Sequence, residues 1–344
     1  MKKLSFLFLC LFRFCAGECA NEPTSNHFLS FIIPCYNCAN TVSQSIDSIY
    51  KQNITIPFEI ICTNDASTDN TLNILRSHEE IYTNLHVYSH EINQGGGAAS
   101  NTCVVHAKGD LLFRLDSDNA LAPGTINQLI ALLDKTGVDG ATVEEIRYHS
   151  GNFVKIAEWI YRAPHNICDL QHCTQTIFNP AASGNYLFTR KSFDKAGGYP
   201  TARSGADTFC FGFKQYATGS KIAILPNSFY WHFRNLNGYW CREEATGNNQ
   251  KVALATLLEF SEVFSSKAIE NLLMAPSYAT TIQNGTLELA SIEILEYLFK
   301  GYELEVIQDY EKALEAFEAA IVHGCTSEKI QRKVKKLQEF THLK

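Results

Sequence analysis

The sequence predicts an α/β fold, a mostly parallel doubly wound sheet followed by a C-terminal α-helical module. Two patterns predict it. From His27 to about Lys135, short apolar runs alternate with segments whose apolar residues recur at helical spacing. Beyond about Gly247, strand signals give way to long helical patterns.

Taken in order, Leu29-Ser30-Phe31-Ile32-Ile33 is a strand stopped by Pro34, and Thr41 to Lys51 places Val42, Ile46 and Ile49 on one helical face. Phe58-Glu59-Ile60-Ile61-Cys62 is a second strand, after which Thr68 or Asp69 can cap a helix carrying Leu72 and Leu75. Leu85 to Tyr88 gives a third strand, about Gly97 to His106 a helix, and Leu111 to Leu115 a fourth strand. Such alternation implies right-handed crossovers, with the ligand beyond the carboxyl ends of the strands. Further on, a strand is expected near Ile222 to Leu225, and helices over Ala253 to Phe264, Leu287 to Phe299 and Asp309 to Ile321. The domain plan is a leader at 1–25, an α/β domain at 26–245 and a helical module at 246–344.

The composition is that of an ordinary globular chain, with 45% hydrophobic and 19% charged residues among 344. A net charge of -7 argues against a nucleic-acid partner. No apolar run approaches the roughly 20 residues that cross a bilayer as a helix. The first residues have the outline of a secretory signal: Lys2 and Lys3, an apolar run from Leu4 to Phe12, then small residues around Ala16 and Gly17, with Arg13 interrupting late. Export or tethering stands beside a frayed terminus, and a cytoplasmic location or a peripheral one at the cytoplasmic membrane stands beside both. Lys333, Lys335 and Lys336 are a solvated helix face that, with Lys2 and Lys3, would suit an anionic membrane surface.

The 12 cysteines spell no disulfide framework. Cys35-x-x-Cys38, and the group His165, Cys168, His172 and Cys173, fit packing better than redox or zinc chemistry, since the spacings match no standard site.

The polar clusters fall at the expected carboxyl edge. Phe113-Arg114-Leu115-Asp116-Ser117-Asp118-Asn119 ends an apolar run in two carboxylates spaced i, i+2, which lets a short loop aim hard oxygens at one divalent cation. Pro34-Cys35-Tyr36-Asn37 offers an aromatic face and main-chain groups to a base. Asn64-Asp65-Ala66-Ser67-Thr68-Asp69 presents a carboxylate able to accept from an imide N–H or a ribose hydroxyl. Asn93-Gln94-Gly95-Gly96-Gly97 lets the backbone pass close to a ligand before a helix begins. Each cluster alone is also ordinary cap and turn chemistry.

Together, in this order and spacing, they resemble family 2 glycosyltransferases, over roughly residues 28 to 240. The resemblance implies the nucleotide-diphospho-sugar transferase fold called GT-A, an inverting reaction and a Mn²⁺ or Mg²⁺ ion. It implies that Pro34 and Tyr36 line the base with Asn37 beside them. It puts Asp65 on the uracil-like edge, Asn93 and Gly95 along the donor, and Asp116 and Asp118 on ribose and metal. Ser183 to Arg190 and Phe193 to Tyr199 are similar to the family's acceptor side. Asp207, in Gly205-Ala206-Asp207-Thr208-Phe209, then stands as general base, taking the acceptor hydroxyl's proton. His232 falls where some relatives supply a late metal or diphosphate contact.

Three positions depart from the family pattern: Ser100 where an arginine is common, Ala206 where an acid is usual, and Asn119 for a frequent third aspartate. The implied activity is transfer of a hexose or N-acetylhexosamine from a UDP-sugar to a hydroxyl of a glycan, lipid or protein. The competing reading is a non-catalytic sugar-nucleotide-binding scaffold working through its tail. That tail, at Asp309 to Ile321, looks like the second half of a tetratricopeptide-type hairpin, and a lone repeat packs on its neighbours or offers a surface to a protein partner.

Overall fold

A computed structural model describes residues 26–149, 155–159, 163–175, 184–234, 238–274 and 287–342. The leader expected at 1–25, Ser183 and part of the stretch between Glu144 and Asn185 lie outside these residues.

The first half is built as its pattern predicts. Strands β1 (Leu29–Cys35), β2 (Phe58–Asn64), β3 (Leu85–Ser89) and β4 (Leu111–Arg114) lie parallel in the order β3-β2-β1-β4. Helices α1 (Val42–Tyr50), α2 (Thr71–Ile81) and α3 (Gly96–His106) form the crossovers. β1, β2 and β4 are mainly apolar because both of their faces are covered. On β1, Phe31 and Ile33 enter a core shared with Ile46 and Ile49 of α1, while Ile32 enters the opposite core with Cys103 of α3.

Beyond β4 the sheet becomes mixed and reaches 10 strands. β5 (Asn119–Leu121), β6 (Gly140–His149), β7 (Lys155–Trp159), β8 (Ile167–Cys168), β9 (Leu187–Thr189) and β10 (Ile222–Arg234) complete it. β9 runs antiparallel to β4 and β6, and β10 pairs β6 in parallel and β5 antiparallel. Helices α4 (Thr125–Thr136), α5 (Leu170–Gln175), α6 (Arg190–Ala196) and α7 (Asp207–Ala217) flank it. The parallel character is thus confined to the first four strands and the β6–β10 pair.

Several boundaries move. β10 runs past Leu225 to Arg234, through a register shift between Leu225 and Phe229 where Pro226 cannot donate and Asn227 takes φ 59°. The helix expected over Ala253 to Phe264 is instead α9 (Asn248–Glu259), preceded by α8 (Tyr239–Ala245) and followed by a 3₁₀ turn and α10 (Ser266–Met274). The helix expected from Leu287 starts later, as α11 (Ile292–Val306), because Ser291 caps it by accepting from the Ile294 N–H, while Leu289 pairs with Phe264 as an isolated bridge.

With α12 (Tyr310–Val322) and α13 (Glu328–His342), α11 encloses a separate small core of Leu298, Tyr302, Phe317, Ile330 and Leu337. Gly301 lets α11 approach α12, since a Cβ there would lie 2.5 Å from the Phe317 ring. Glu303 of α11 pairs with Lys191 and Lys195 of the α/β domain, and the Tyr302 hydroxyl donates at 2.6 Å to buried Glu262 in the turn after α9. Among the described residues none of the nine cysteines is in a disulfide and eight are buried, as expected of packing residues.

Candidate active site at the carboxyl edge of the sheet

The loops after β1 and β2 are knitted together by their own polar groups. The Asn37 N–H donates to Ser67 Oγ at 3.0 Å, and Asn37 Oδ1 accepts from the Thr68 N–H at 2.8 Å. Asp69 accepts from the N–H groups of Ala39 and Thr71. These bonds hold Asn37 at φ 49°, a turn conformation that asparagine tolerates. Pro34 lies half-buried beneath, and Tyr36 projects with 40% of its surface exposed.

Asp65 is buried, and both of its oxygens are engaged within the protein. Oδ1 accepts from the Gln94 N–H at 2.8 Å and lies 2.7 Å from His90 Nδ1, while Oδ2 accepts from the Gly95 N–H at 2.7 Å. Asn93 closes the same knot by donating to the Asp65 carbonyl at 3.2 Å. The role this arrangement gives Asp65, Asn93 and Gly95 is to fix the segment that leads into α3. The glycine run has an internal reason as well. A Cβ on Gly96 would stand 2.7 Å from Asp207 Oδ2, and one on Gly97 would strike the Pro200 carbonyl.

Across the edge, β4 delivers the Asp116-Ser117-Asp118 loop beside the start of α7, so Asp116 and Asp207 share one neighbourhood. Arg114 lies between them. It is 4% exposed, with Nη2 3.0 Å from Asp116 Oδ1 and 3.4 Å from Asp207 Oδ2, and its guanidinium sits 5.2 Å from the centre of the Tyr199 ring. The Asp116 N–H donates to Asn185 Oδ1 at 2.6 Å, and Asn119 Nδ2 donates to Asp116 Oδ2 at 3.3 Å. Asn101 grips Tyr199 on both sides, accepting its N–H and donating to its carbonyl, each at 2.9 Å.

The electrostatics follow from this crowding. Burial raises the Asp207 carboxyl above the usual range; Arg114 opposes the rise and Asp116 adds to it. Asp118 is pushed up to about 6, first by burial and then by the charge on Asp116, with His232 and Arg114 pulling the other way. His232 faces Asn119 across the β5–β10 pairing, so the structure brings it beside the loop. Yet among the described residues no three His, Cys, Asp or Glu side chains come together as a metal site. That holds for Asp116, Asp118 and His232, and for the group around His165, where Cys168 and Cys173 are core residues.

Asn119 proves to be a connector. It donates to Asp116 and accepts from the Phe233 N–H at 3.2 Å, tying the loop to β10. Arg114, Tyr199 and Asn185 gained no role from sequence reasoning. One signal was present for Arg114, a cation inside the apolar run Leu111 to Leu115.

A mixed sheet flanked by helices, with a carboxylate loop at the end of its fourth strand, defines the GT-A class of fold. The glycosyl transferase family 2 model matches residues 30–197. Poly(ribitol-phosphate) beta-glucosyltransferase of Bacillus spizizenii is 39% identical over 95 residues, 26% of this chain and 15% of that protein. The minor teichoic acid biosynthesis protein GgaB of Bacillus subtilis is 30% identical over 183 residues, 49% of this chain and 20% of that one. This chain thus spans only a small part of either relative's length. Among solved structures, residues 1–349 of S. aureus TarS superpose with a TM-score of 0.55 at 17% identity, covering 92% of this chain and 91% of that one. The mannosyltransferase PcManGT of Pyrobaculum calidifontis, in complex with GDP-Man and Mn²⁺, gives 0.51 at 18% identity, covering 93% and 82%. Residues 30–197 thus form a glycosyl transferase family 2 domain.

Proposed function

We propose that this protein transfers a sugar, with inversion, from a nucleotide-diphospho-sugar to an acceptor hydroxyl. A single observation carries the reading: Asp207 and the Asp116-Ser117-Asp118 loop meet at the carboxyl edge of the sheet, the place where open α/β folds bind ligands. Asp207, raised by burial, is the general base. It accepts the acceptor hydroxyl's proton as the oxygen attacks the anomeric carbon from the face opposite the leaving diphosphate.

Asp116 and Asp118 would hold Mn²⁺ or Mg²⁺. The donor set fits: two crowded carboxylates, balanced by one guanidinium that Asp207 shares, provide hard oxygens and excess negative charge. Among the described residues no third His, Cys, Asp or Glu completes a cluster with them, so the remaining ligands would come from the donor and solvent. A bound cation would stabilise the diphosphate as it departs. Pro34 and Tyr36 would receive the base, on loops that Asn37 and Asp65 hold in place.

A uridine donor is favoured by structures of S. aureus TarS in complex with UDP and with UDP-GlcNAc. Inversion is favoured by the beta linkage in the relatives' names, which is what inversion of an α-linked sugar nucleotide gives. Those names also make a polyol-phosphate or other glycan acceptor the first to try, ahead of lipid or protein. The α11–α12 pair, close-packed at Gly301, supports a tetratricopeptide-like reading of the tail, with Glu303 of α11 paired with Lys191 and Lys195 of the α/β domain.

The test is donor turnover over a panel of UDP- and GDP-sugars with Mn²⁺ or Mg²⁺. Wild type should consume one of them, and Asp116→Ala and Asp118→Ala should not. Equal, background-level turnover by all three proteins across the panel would sink the reading.

A further inference from the structure

Arg114 is an expensive residue where it stands. Its neighbours Leu111, Leu112, Phe113 and Leu115 are fully buried, and a strand covered on both faces ordinarily carries only apolar side chains. One nitrogen, Nη2, serves Asp116 and Asp207, whereas Nε and Nη1 are buried with no hydrogen-bond partner. Leaving two nitrogens of a cation unpaired weakens the fold, so packing alone does not account for the arginine. The Tyr199 ring, fixed by Asn101, covers the guanidinium and holds it in place.

A second observation comes from α3. Ser100, which occupies the place where the family pattern commonly has an arginine, is fully buried and donates to the Gly96 carbonyl at 2.8 Å. Gly96 lies one turn earlier on the same face of the helix, and a Cβ on it would stand 2.7 Å from Asp207 Oδ2 and 4.0 Å from Arg114 Nη2. Position 100 therefore lies one helical turn from the point where α3 meets Asp207 and Arg114.

We propose that Arg114 is a positioning residue that ties Asp207 to Asp116, supplying from β4 the guanidinium that α3 lacks at position 100. The proposal rests on the reading of Asp207 as general base and Asp116 as the cation-side carboxylate. Arginine suits the task because its planar fork is fixed by the ring beneath it while Nη2 is shared between two anions. Lysine, a mobile point charge, would hold one carboxylate at a time. Without the tie, Asp207 is a buried carboxylate facing Asp116 with no guanidinium between them.

The experiment uses the full chain and two readouts. In thermal unfolding, Arg114→Gln should lower the Tm. Adding Asp207→Asn to it should recover most of the loss, because the anion left unpaired is removed. This cycle reads the tie whether or not transfer is ever observed, so it fails independently of the proposed function. In steady-state transfer with the donor that wild type uses, Arg114→Gln should lower kcat about 10²-fold, the scale expected when a reacting group is displaced by about 1 Å. UDP affinity and donor KM should change far less. Ser100→Arg in the Arg114→Gln background should recover kcat more fully than Arg114→Lys does. Additive Tm effects, a wild-type kcat in Arg114→Gln, or recovery by Arg114→Lys but none by Ser100→Arg would each overturn the proposal.

Discussion

Along one sheet edge the protein handles polar groups in two ways. Around β1, β2 and the entry to α3, the polar side chains named from the sequence find partners inside the fold: Asn37 bridges two loops, Asp69 accepts two backbone N–H groups and Asp65 closes the knot at Gln94 and Gly95. Around β4 and α7, carboxylates face one another, Arg114 is half-paired and the side-chain amide nitrogen of Asn185 is buried without a partner. The first region is complete without a ligand. In the second, buried groups are left unpaired and like charges crowd, which is where a reacting ligand gains most. Substitutions should therefore divide, costing stability in the first region and turnover in the second.

Asp207→Asn should show the largest effect. Removing a positioned base lowers transfer by about 10²–10⁴-fold. The Tm should stay near that of wild type, since the substitution removes a buried anion and Arg114 keeps Asp116. The sign of the pH dependence follows from the same burial. The base works only when deprotonated and its pKa is raised, so transfer should fail at a higher pH on the acid side than an unperturbed aspartate would allow. An acid limb at or below the ordinary aspartate range, in a kcat profile, would remove Asp207 from the role.

Asp65→Ala is the mirror image. It strips the acceptors from two backbone N–H groups in a buried knot, at about 1–3 kcal/mol for each group left unsatisfied. Chemical denaturation should report that loss, and UDP affinity should fall only as far as the loop loosens. If Asp65→Ala were as stable as wild type but failed to bind UDP, the two regions would not differ as described.

The legible part of the molecule was its repeating part. The β1 to β4 runs could be read because burial on both faces makes them continuously apolar, and the loops after them because Gly, Asn and Asp answer to backbone geometry. What stayed hidden depends on contacts between distant segments. Nothing local ties Arg114 to an aspartate 93 positions away, or says that the glycines before α3 make room for the Asp207 carboxylate. Asp65 shows what the fold adds to such a reading: the carboxylate read from its turn as open to a ligand also accepts backbone N–H groups from 29 and 30 residues away.

Gly96→Ala tests the boundary between the regions, because this glycine belongs to the first by sequence and touches the second. Its Cβ would meet Asp207 Oδ2 at 2.7 Å, so either the helix or the carboxylate must shift. Overpacking of this kind costs about 1–3 kcal/mol. The sharper expectation is that kcat falls by more than the stability loss explains, since the carboxylate displaced is the proposed general base. A variant that loses stability but keeps kcat would place the strain in α3 instead.

The smallest effect is expected at Tyr302, where α11 meets the turn after α9. Its hydroxyl donates to buried Glu262, which also pairs with Lys329 at 2.9 Å, while the Lys329 ammonium lies 3.3 Å from the centre of the Phe260 ring. This contact resembles the first region more than the second. Tyr302→Phe removes one hydrogen bond to a carboxylate and leaves the ion pair, a loss of about 1–2 kcal/mol readable in denaturant unfolding. Transfer should be unchanged if the module only braces the domain. A route inward does exist: Lys214, near Glu259 and Lys329, donates to the Gly198 carbonyl at 2.8 Å, and the next residue is Tyr199, whose ring covers Arg114. A fall in kcat with stability nearly intact would mean that the tail steadies the carboxylate pair along that route.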